Sequence, residues 1–359
     1  MKILYAIQGT GNGHISRARE IVPLLQKNHE TDLLISGSQA EVDFPYPVKY
    51  RFNGLGFVFG AKGGIDLVET YKRNYIGVLL SEINSLPVRD YDLVINDFEP
   101  VSAWASYLSG VKCIAVSHQA AVLNKKAPQP KDVDFLGKAI LKSYAPADVK
   151  FGFHFKSYDD KIFTPVIRSQ VREQTLENLG HYTVYLPAYD DQRILNVLKW
   201  CGNVRWEVFS KRIRIQIDLG NIVIRPINNE AFIRSMATSA GVICGAGFET
   251  PAEALYMHKK LMVIPMKGQY EQLCNASALK DMGVPVLKSF KANHVSKVLD
   301  WIENGEVVGV DYPDRTEEII NRIIDTQVVA RNSPSESKVK EYSVEKFRNM
   351  LLKKIVSRF

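Results

Sequence analysis

The sequence has no apolar segment long enough to cross a bilayer, since a spanning helix needs about 20 consecutive apolar residues. Its opening apolar run has only the length of a strand and no small-residue cleavage site, so we expect no signal peptide and a cytoplasmic protein. The few cysteines are far apart, without metal-ligand spacing, at Cys113, Cys201, Cys244 and Cys274. These absences exclude a helical membrane-spanning protein and a disulfide scaffold, and they predict reduced thiols.

Motifs for several other functions are also missing. No Gly-x-x-x-x-Gly-Lys-Ser/Thr string occurs, which argues against a P-loop kinase. No stretch combines basic and aromatic residues in the spacing of a nucleic-acid module, so we expect no nucleic-acid partner. Asp132 and Asp134 resemble a metal-binding acid pair, but no strand-like run flanks them and we interpret them as an exposed helix start. We therefore predict no metal ion.

Positive charge is concentrated at the end of the chain. Residues 331–359 carry eight Lys/Arg against three Glu, which accounts for five of the seven excess positive charges. A serine-rich linker at 332–337 precedes apolar residues at helical spacing, namely Val344, Phe347, Leu351 and Ile355. This pattern predicts a basic amphipathic helix that either docks on its own protein or lies on the inner face of a membrane.

The most informative stretch is 242–255, where a short apolar run ends in Gly245-Ala246-Gly247 and a helical pattern follows. A strand, a glycine turn and a helix start place free backbone N–H groups and the positive end of the helix dipole together. That arrangement favours a phosphate or diphosphate. Glu253, one turn into the helix, is placed to accept hydrogen bonds from a ribose diol. The alternative is an ordinary strand-to-helix turn of an α/β protein.

A second glycine loop follows the first predicted strand. It runs Gly9-Thr10-Gly11-Asn12-Gly13-His14 and leads into a helical pattern. A dinucleotide fingerprint would have glycine where His14 stands and an acid after the second strand, which instead ends in Ser36-Gly37-Ser38. We therefore expect a loop that allows close approach to the backbone and presents a histidine, rather than an NAD site.

Apolar runs alternate with helical patterns in both halves of the chain. We predict strands at 2–8, 31–36, 47–52, 92–96, 112–116, 149–153, 181–186, 203–209, 221–224, 242–244 and 261–264. We predict helices at 16–27, 66–84, 99–109, 132–143, 190–200, 229–237, 249–257, 270–281 and 293–303. The alternation predicts an α/β fold of two doubly wound, Rossmann-like domains that face each other across a cleft. We place them at 1–161 and 162–331, followed by linker and tail helix at 332–359.

With both loops placed, the chain resembles the glycosyltransferases of the GT-B fold. It is similar to the UDP-GlcNAc transferases that complete the lipid-linked peptidoglycan precursor and to the wider UDP-sugar transferases. The match is strongest in 241–276, through Gly247, Thr250, Glu253, Pro265, Glu271-Gln272 and Asn275-Ala276. The loop ending in His14, the segment around Asp97 and the strand end Val116-Ser117-His118-Gln119 match in the first half.

The resemblance implies that the second domain binds the donor. Backbone N–H groups of Gly245, Ala246, Gly247 and Phe248 would stabilise the charge that develops on the β-phosphate of leaving UDP, without a metal. The remaining donor residues would be Thr250 in the helix start, Glu253 on the ribose, Glu271 and Gln272 on the sugar, Asn275 as a brace and the backbone at Ile227 on uracil. No cofactor is implied beyond the UDP-sugar itself.

The resemblance implies that the first domain binds the acceptor. His14 would take the proton from the acceptor hydroxyl, and Asp97 would hold its imidazole in one tautomer. Gly11, Gly13 and His118 would belong to this acceptor side. Other interpretations stay open: His14 as a helix cap, Asp97 as the N-cap of the helix at 99–109, His118 as a structural residue and Glu253 as a solvated helix residue.

We therefore expect a metal-independent, inverting glycosyltransferase that moves a sugar from a UDP-sugar, such as UDP-GlcNAc, to a hydroxyl. The expected acceptor is a lipid-linked or other cell-envelope glycan precursor, with peripheral membrane contact. Two alternatives remain: a non-hydrolysing UDP-sugar 2-epimerase on the same fold, and a non-catalytic sugar-nucleotide-binding protein.

Overall fold

A computed structural model describes residues 1–37, 44–55, 76–130 and 135–331. The first parts of the helices expected at 66–84 and 132–143 lie outside these ranges, and so does the whole basic tail at 332–359. Among the described residues, no helix is both long enough and apolar enough to cross a membrane.

The first half of the chain forms a seven-stranded parallel sheet of order β3-β2-β1-β4-β5-β6-β7. Its strands are β1 (Lys2–Gln8), β2 (Glu30–Ser36), β3 (Tyr50–Phe52), β4 (Leu93–Asp97), β5 (Cys113–Val116), β6 (Val149–Phe153) and β7 (Ile162–Phe163). Its helices are α1 (Asn12–Asn28), α2 (Ile76–Ser85), α3 (Pro100–Ser109), α4 (His118–Val122) and α5 (Phe135–Tyr144). A 3₁₀ turn spans Val88–Asp90. The sheet therefore has the strand order of a doubly wound domain.

Both faces of this sheet are covered, as a parallel sheet requires. Successive side chains of a strand point to opposite faces. Ile3, Tyr5 and Ile7 of β1 accordingly join the apolar cluster on one face, whereas Leu4 and Ala6 join the cluster on the other. An uninterrupted apolar strand is thus explained by burial on both sides.

The second half forms a six-stranded sheet of order β10-β11-β9-β8-β12-β13. Its strands are β8 (His181–Tyr185), β9 (Arg205–Ser210), β10 (Ile217–Asp218), β11 (Ile222–Pro226), β12 (Gly241–Gly245) and β13 (Lys260–Ile264). Only the pairing of β10 with β11 is antiparallel within this sheet. The α/β expectation of two parallel-dominated, doubly wound sheets is confirmed.

The second half contains seven helices among its described residues. They are α6 (Ser169–Arg172), α7 (Asp191–Leu198), α8 (Asn229–Thr238), α9 (Glu249–Tyr256), α10 (Tyr270–Asp281), α11 (Val295–Asn304) and α12 (Thr316–Arg331), with a 3₁₀ turn at Ala292–His294. The last of them, α12, packs against α1 of the first sheet. Ile320 and Ile323 of α12 are fully buried in the same cluster as Ile21 of α1. The domain bounds drawn from the sequence stay a prediction.

Candidate active site

The two glycine loops meet across the cleft between the sheets. Each follows the carboxyl end of a central parallel strand, β1 or β12, and opens a helix, α1 or α9. A Cβ built on Gly13 would lie 2.9 Å from Cγ of Glu249, which is closer than real side chains approach. Glycine at position 13 therefore leaves room for the Glu249 side chain, which would have to shift if position 13 carried a Cβ.

Gly11 has a different reason to be glycine. It precedes α1 as the N-cap with a φ of 97°, in the left-handed region that other residues adopt only with strain. A Cβ there would meet no atom within 4 Å, so backbone conformation and not space selects glycine.

His14 and Asp97 form a hydrogen-bonded pair on the first domain. Nδ1 of His14 lies 2.8 Å from Oδ1 of Asp97. The His14 side chain is 13 % exposed and the Asp97 side chain is fully buried. Burial opposes the charge of Asp97, but Arg17 and His14 outweigh it and lower the pKa of this carboxyl. Asp97 is therefore an anion that faces Nδ1 and leaves Nε2 as the nitrogen toward the cleft.

Asp97 does not cap the helix that follows it. Glu99 is the N-cap of α3, where its side chain accepts hydrogen bonds from the backbone of Val101 and Ser102. Phe98 between them has a φ of 58°, an uncommon conformation for a non-glycine residue. This sharp corner turns Asp97 toward His14 while Glu99 turns to the helix, so the N-cap interpretation of Asp97 is wrong.

Arg17, one turn after His14 on α1, is a third member of this group. Its Nε and Nη2 bind the two carboxylate oxygens of Asp97 at 3.0 and 2.7 Å. Its Nη1 reaches Oε1 of Glu249 at 2.5 Å, across the cleft. Burial opposes the charge of Arg17, yet Asp97 and Glu249 raise its pKa. Arg17 is thus a permanent buried cation between the two domains.

Glu249 begins α9 directly after the glycine turn. Burial raises the pKa of Glu249 to about 7, against the opposing effect of Arg17. The N-cap Phe248 provides no side-chain hydrogen bond to the first turn of α9. Backbone N–H groups at this helix start are therefore available to an anion.

Gly245, Ala246, Gly247 and Phe248 lie at this turn as the sequence indicated. A Cβ on Gly247 would meet no protein atom within 4 Å, and its φ is not in the left-handed region. Neither crowding nor strain within the protein requires glycine there, whereas close approach of a ligand to the backbone would.

Gln119 on α4 contacts both α10 and α1. Nε2 of Gln119 donates to Glu271 at 3.0 Å and lies 3.5 Å from Nε2 of His14. Burial raises the pKa of Glu271, and the Gln119 hydrogen bond opposes this rise. Gln119 therefore stands between the free nitrogen of His14 and a residue predicted to contact the sugar.

His118 is fully buried and faces the second domain. Its ring stacks on Phe248 with centroids 3.9 Å apart, and its Nε2 lies 2.8 Å from Oδ1 of Asn275. Asn275 in turn donates to the carbonyl of Ala246 at 3.1 Å, which braces the glycine turn. Burial lowers the pKa of His118 to about 3, so the ring is neutral. Its position is that of an interdomain packing residue.

Glu253 is paired with a residue that the sequence did not single out. Both of its carboxylate oxygens accept hydrogen bonds from Arg168, at 2.5 and 2.8 Å, and the side chain is 3 % exposed. Arg168 lies just before α6, where the chain enters the second domain, and also binds Asn229. A ribose diol at Glu253 would therefore share that carboxylate with Arg168, and the ribose contact stays a prediction.

The other predicted donor residues surround the same turn. Gln272 closes the loop after β13 by accepting from the backbone of Met266 at 2.9 Å. Thr250 is half-buried in the first turn of α9, and Ile227 directly follows β11. In the described part of the chain, no group of three or more His, Cys, Asp or Glu side chains forms a candidate metal centre.

The residues missed from the sequence share one property. Arg17, Glu249 and Arg168 are charged side chains whose oppositely charged partners lie between 80 and 232 residues away along the chain. Glu249 lay within the glycine-turn stretch, so its position beside a predicted anion site was the one available signal.

Comparison with known proteins agrees with this geometry. Residues 1–303 match the model of the family described as glycosyl transferase family 1. No curated protein matches the sequence significantly.

Solved structures of low sequence identity share the whole fold. UGT2 of Phytolacca americana, complexed with UDP-2-fluoro-glucose and pterostilbene, has a TM-score of 0.54, 13 % identity and coverage of 100 % of this chain and 99 % of its own. MurG of Acinetobacter baumannii has a TM-score of 0.53, 14 % identity and coverage of 90 % and 99 %. A UDP-N-acetylglucosamine 2-epimerase has a TM-score of 0.54, 10 % identity and coverage of 93 % and 99 %. Such likeness establishes the GT-B fold alone, whereas the family match covers most of the chain: the protein belongs to glycosyl transferase family 1 and is a glycosyltransferase.

Proposed function

We propose that the enzyme transfers a sugar from a UDP-sugar to a hydroxyl by a single displacement that inverts the anomeric carbon. One observation carries the proposal. The His14–Asp97 pair of the first domain lies opposite the uncapped start of α9 in the second domain, so a base and an anion site face each other across one cleft.

The base would act through Nε2 of His14. Asp97 accepts at Nδ1, which favours the tautomer with its lone pair at Nε2 and stabilises the imidazolium once the acceptor proton arrives. The acceptor oxygen, freed of its proton, would attack the anomeric carbon as the bond to the β-phosphate oxygen breaks.

The leaving diphosphate would be stabilised at the glycine turn. Backbone N–H groups at the start of α9 and the helix dipole favour an anion at this point. Space at Gly247 supports close approach of the diphosphate to the backbone. This site would operate without a metal ion, and UDP would be recognised from Ile227 and Glu253.

An acceptor would enter beside an aromatic wall. Phe98 lies nearly parallel to the His14 ring at a centroid distance of 6.3 Å, and Tyr144 stacks on Phe98 at 4.6 Å. An apolar surface next to the base suits an acceptor with an apolar portion. We extend the proposal to a lipid-linked or cell-envelope glycan precursor and to peripheral membrane contact through the basic tail, which lies outside the described residues.

A thermal-shift screen tests the donor site. Purified protein is heated with UDP, GDP, dTDP, CMP and their sugar conjugates, each with EDTA. A ligand that binds only the folded state raises the melting temperature. Stabilisation by UDP species that survives EDTA supports the proposal, and a flat response to every nucleotide contradicts it.

Two further assays test the type of reaction and the membrane contact. Conversion of UDP-GlcNAc to its 2-epimer without acceptor would show the epimerase instead, and tight UDP binding without turnover would show a non-catalytic binder. Flotation with anionic liposomes tests the membrane contact, with protein ending at residue 331 as the matched control. Equal failure of both proteins to float contradicts that contact.

A further inference from the structure

Arg17 connects the proposed base to the domain opposite. We propose that Arg17 is a positioning residue for the His14–Asp97 pair, and that Glu249 engages Arg17 on closure of the cleft and thereby tunes the basicity of His14. This inference rests on the proposed function for the meaning of that basicity, while the contacts themselves do not depend on it.

Arg17 fixes the position of Asp97. Its planar fork binds both oxygens of Asp97, and the same Nη2 lies 3.1 Å from Nδ1 of His14. The guanidinium also lies over the ring of Phe153, 5.5 Å from its centroid. Its side chain is 2 % exposed, so the position of Asp97 is fixed by a group that solvent does not screen.

The positive charge of Arg17 acts on the protonation of His14. A permanent cation 3.1 Å from Nδ1 disfavours the imidazolium form of His14, because like charges repel strongly where water is excluded. It also neutralises part of the Asp97 charge that would stabilise this imidazolium. Left uncompensated, Arg17 would make His14 a weaker base.

Glu249 supplies the compensation from the second domain. Its Oε1 lies 2.5 Å from Nη1 of Arg17. Because burial raises the pKa of Glu249 to about 7, Glu249 offsets the guanidinium charge that His14 experiences as the pH rises through that value. Arg17 and Glu249 lie on helices of different domains, so this contact depends on how closely the starts of α1 and α9 approach each other. Closure and the strength of the base are thereby linked through one ion pair.

Other groups face His14, Arg17 and Glu249 from the elements packed around them. They are Tyr5 from β1, Asp97 from β4, His118 and Gln119 from α4, Arg168 just before α6, Glu253 one turn beyond Glu249 on α9 and Glu271 from α10. Burial raises the pKa of the Tyr5 hydroxyl, so Tyr5 remains neutral, as does His118. Among these described groups, Glu249 is the carboxylate in hydrogen-bond contact with Arg17 from the opposite domain.

The test is a direct titration of His14 by NMR. Full-length protein is labelled with [¹³Cε1]histidine, and the His14 resonance is assigned by its absence in His14→Gln. Its titration midpoint is measured in the wild type, Glu249→Gln, Arg17→Gln and Glu230→Gln, each with and without UDP. Glu230 is an exposed acid in the first turn of α8, so its substitution is the matched loss of one charge.

The titration midpoint of His14 is expected to shift in opposite directions in Glu249→Gln and Arg17→Gln. Glu249→Gln removes this compensation and lowers the His14 midpoint, to the extent that Glu249, whose pKa is raised to about 7, is ionised at that midpoint in the wild type. Arg17→Gln leaves Asp97 for His14 alone and raises the midpoint. Glu230→Gln leaves it unchanged, and UDP enlarges the Glu249→Gln shift if it favours the closed form.

Three results would overturn the inference: no shift in Glu249→Gln with or without UDP, a shift no larger than that of Glu230→Gln, or shifts of the same sign in both cluster variants. Should Arg17→Gln not fold, the comparison of Glu249→Gln with Glu230→Gln decides alone. The titration needs no turnover, so failure of the proposed transfer reaction would be seen separately, as absence of product from every UDP-sugar. In an active enzyme, the acid limb of kcat/KM should move in the direction of the midpoint.

Discussion

Two carboxylates at the cleft differ in their protonation because their neighbours differ. Asp97 has a cation on both oxygens, which keeps its pKa low despite complete burial. Glu249 shares that cation through one oxygen, and burial raises its pKa to about 7. Pairs of acids pushed apart in this way are a common sign of divided roles at an active site.

The raised pKa of Glu249 predicts a pH-dependent stability. In the unfolded chain this carboxyl ionises near its ordinary value of 4.5, whereas the folded chain keeps it protonated to about 7. The folded state therefore holds the extra proton in this window, and the free energy of unfolding falls as pH rises through it, by at most about 1.4 kcal/mol per pH unit. Urea denaturation between pH 4.5 and 7.5 should show a flatter profile for Glu249→Gln than for the wild type. Equal slopes would show that Glu249 is not the group responsible.

His14→Gln tests the base. We expect kcat to fall about 100- to 10,000-fold, because the amide cannot accept the acceptor proton. The UDP-induced thermal shift should persist, since His14 lies on the acceptor side of the cleft. Retention of wild-type turnover in this variant would remove His14 from the mechanism. Steady-state kinetics and the same thermal-shift assay give both values.

At the scale of residues, the sequence singled out those that carry a local signal, and their roles stay predictions. His14 and Asp97 end short motifs after apolar strands, and the structure brings them within 2.8 Å. Arg17 and Arg168 stand in ordinary helical and connecting segments, and their partners come from another part of the fold. No spacing rule reveals such pairings, which depend on how the two domains meet.

At the scale of elements, the central strands were predictable because each is buried on both faces. Strand β1 was predicted at 2–8 and spans Lys2–Gln8, and strand β12 was predicted at 242–244 and spans Gly241–Gly245. The elements not predicted include the short α4 and the two-residue β10, which offer too few residues for a period to be recognised. Helix α12 was also not predicted. It is a regular helix, but the helix against which it packs, α1, lies at the other end of the chain.

The start of α9 gives a prediction at this scale. Gly247→Ala should leave the melting temperature of the free protein unchanged within about 2 °C, because the new Cβ meets no protein atom. It should weaken UDP binding about tenfold or more, because the methyl group occupies the space of the diphosphate. Calorimetric titration with UDP measures this change. Unaltered affinity in a stable variant would place the diphosphate elsewhere.

Gly13→Ala is the companion variant in the other loop. Its Cβ would lie 2.9 Å from the Glu249 side chain, so the cleft should close less completely. We expect turnover to fall by roughly two- to tenfold, since the Glu249 side chain must shift to make room for the new methyl group. Gly13→Ala should lower turnover less in a Glu249→Ala background than in the wild type, because the side chain that its Cβ would meet is then absent. An equal loss in both backgrounds would indicate that the loop itself was damaged.

At the scale of the whole molecule, the two sheets and the cleft followed from the alternation of strands and helices, and the GT-B expectation is confirmed. The sequence did not predict how the C-terminal part of the chain returns to the first domain. Arg172 donates to the carbonyl of Tyr312 at 3.0 Å, so the outward and returning connections between the domains lie side by side. Helix α12 then continues onto α1, and Lys27 pairs with Glu317.

Packing of α12 on α1 should be measurable as stability of the whole chain. Ile323 is fully buried in the shared cluster, so Ile323→Ala should lower the free energy of unfolding by about 2–5 kcal/mol. Asn321→Ala, an exposed position two residues earlier, should change it by less than about 0.5 kcal/mol. Chemical denaturation of both variants makes the comparison. Similar values for the two would mean that α12 contributes little to the fold.

The returning helix also bears on how donor specificity can be exchanged between relatives. A chimera that takes its second domain from another transferase inherits a foreign α12 if a single junction is drawn between β7 and α6. That helix would then have to fit an α1 surface with which it did not evolve. Two junctions, the second ahead of Thr316, keep α12 with its own partner and transplant only the part of the chain that faces the donor. Chimeras of these enzymes are therefore better built by exchanging the segment between two junctions than by joining two halves at a single junction.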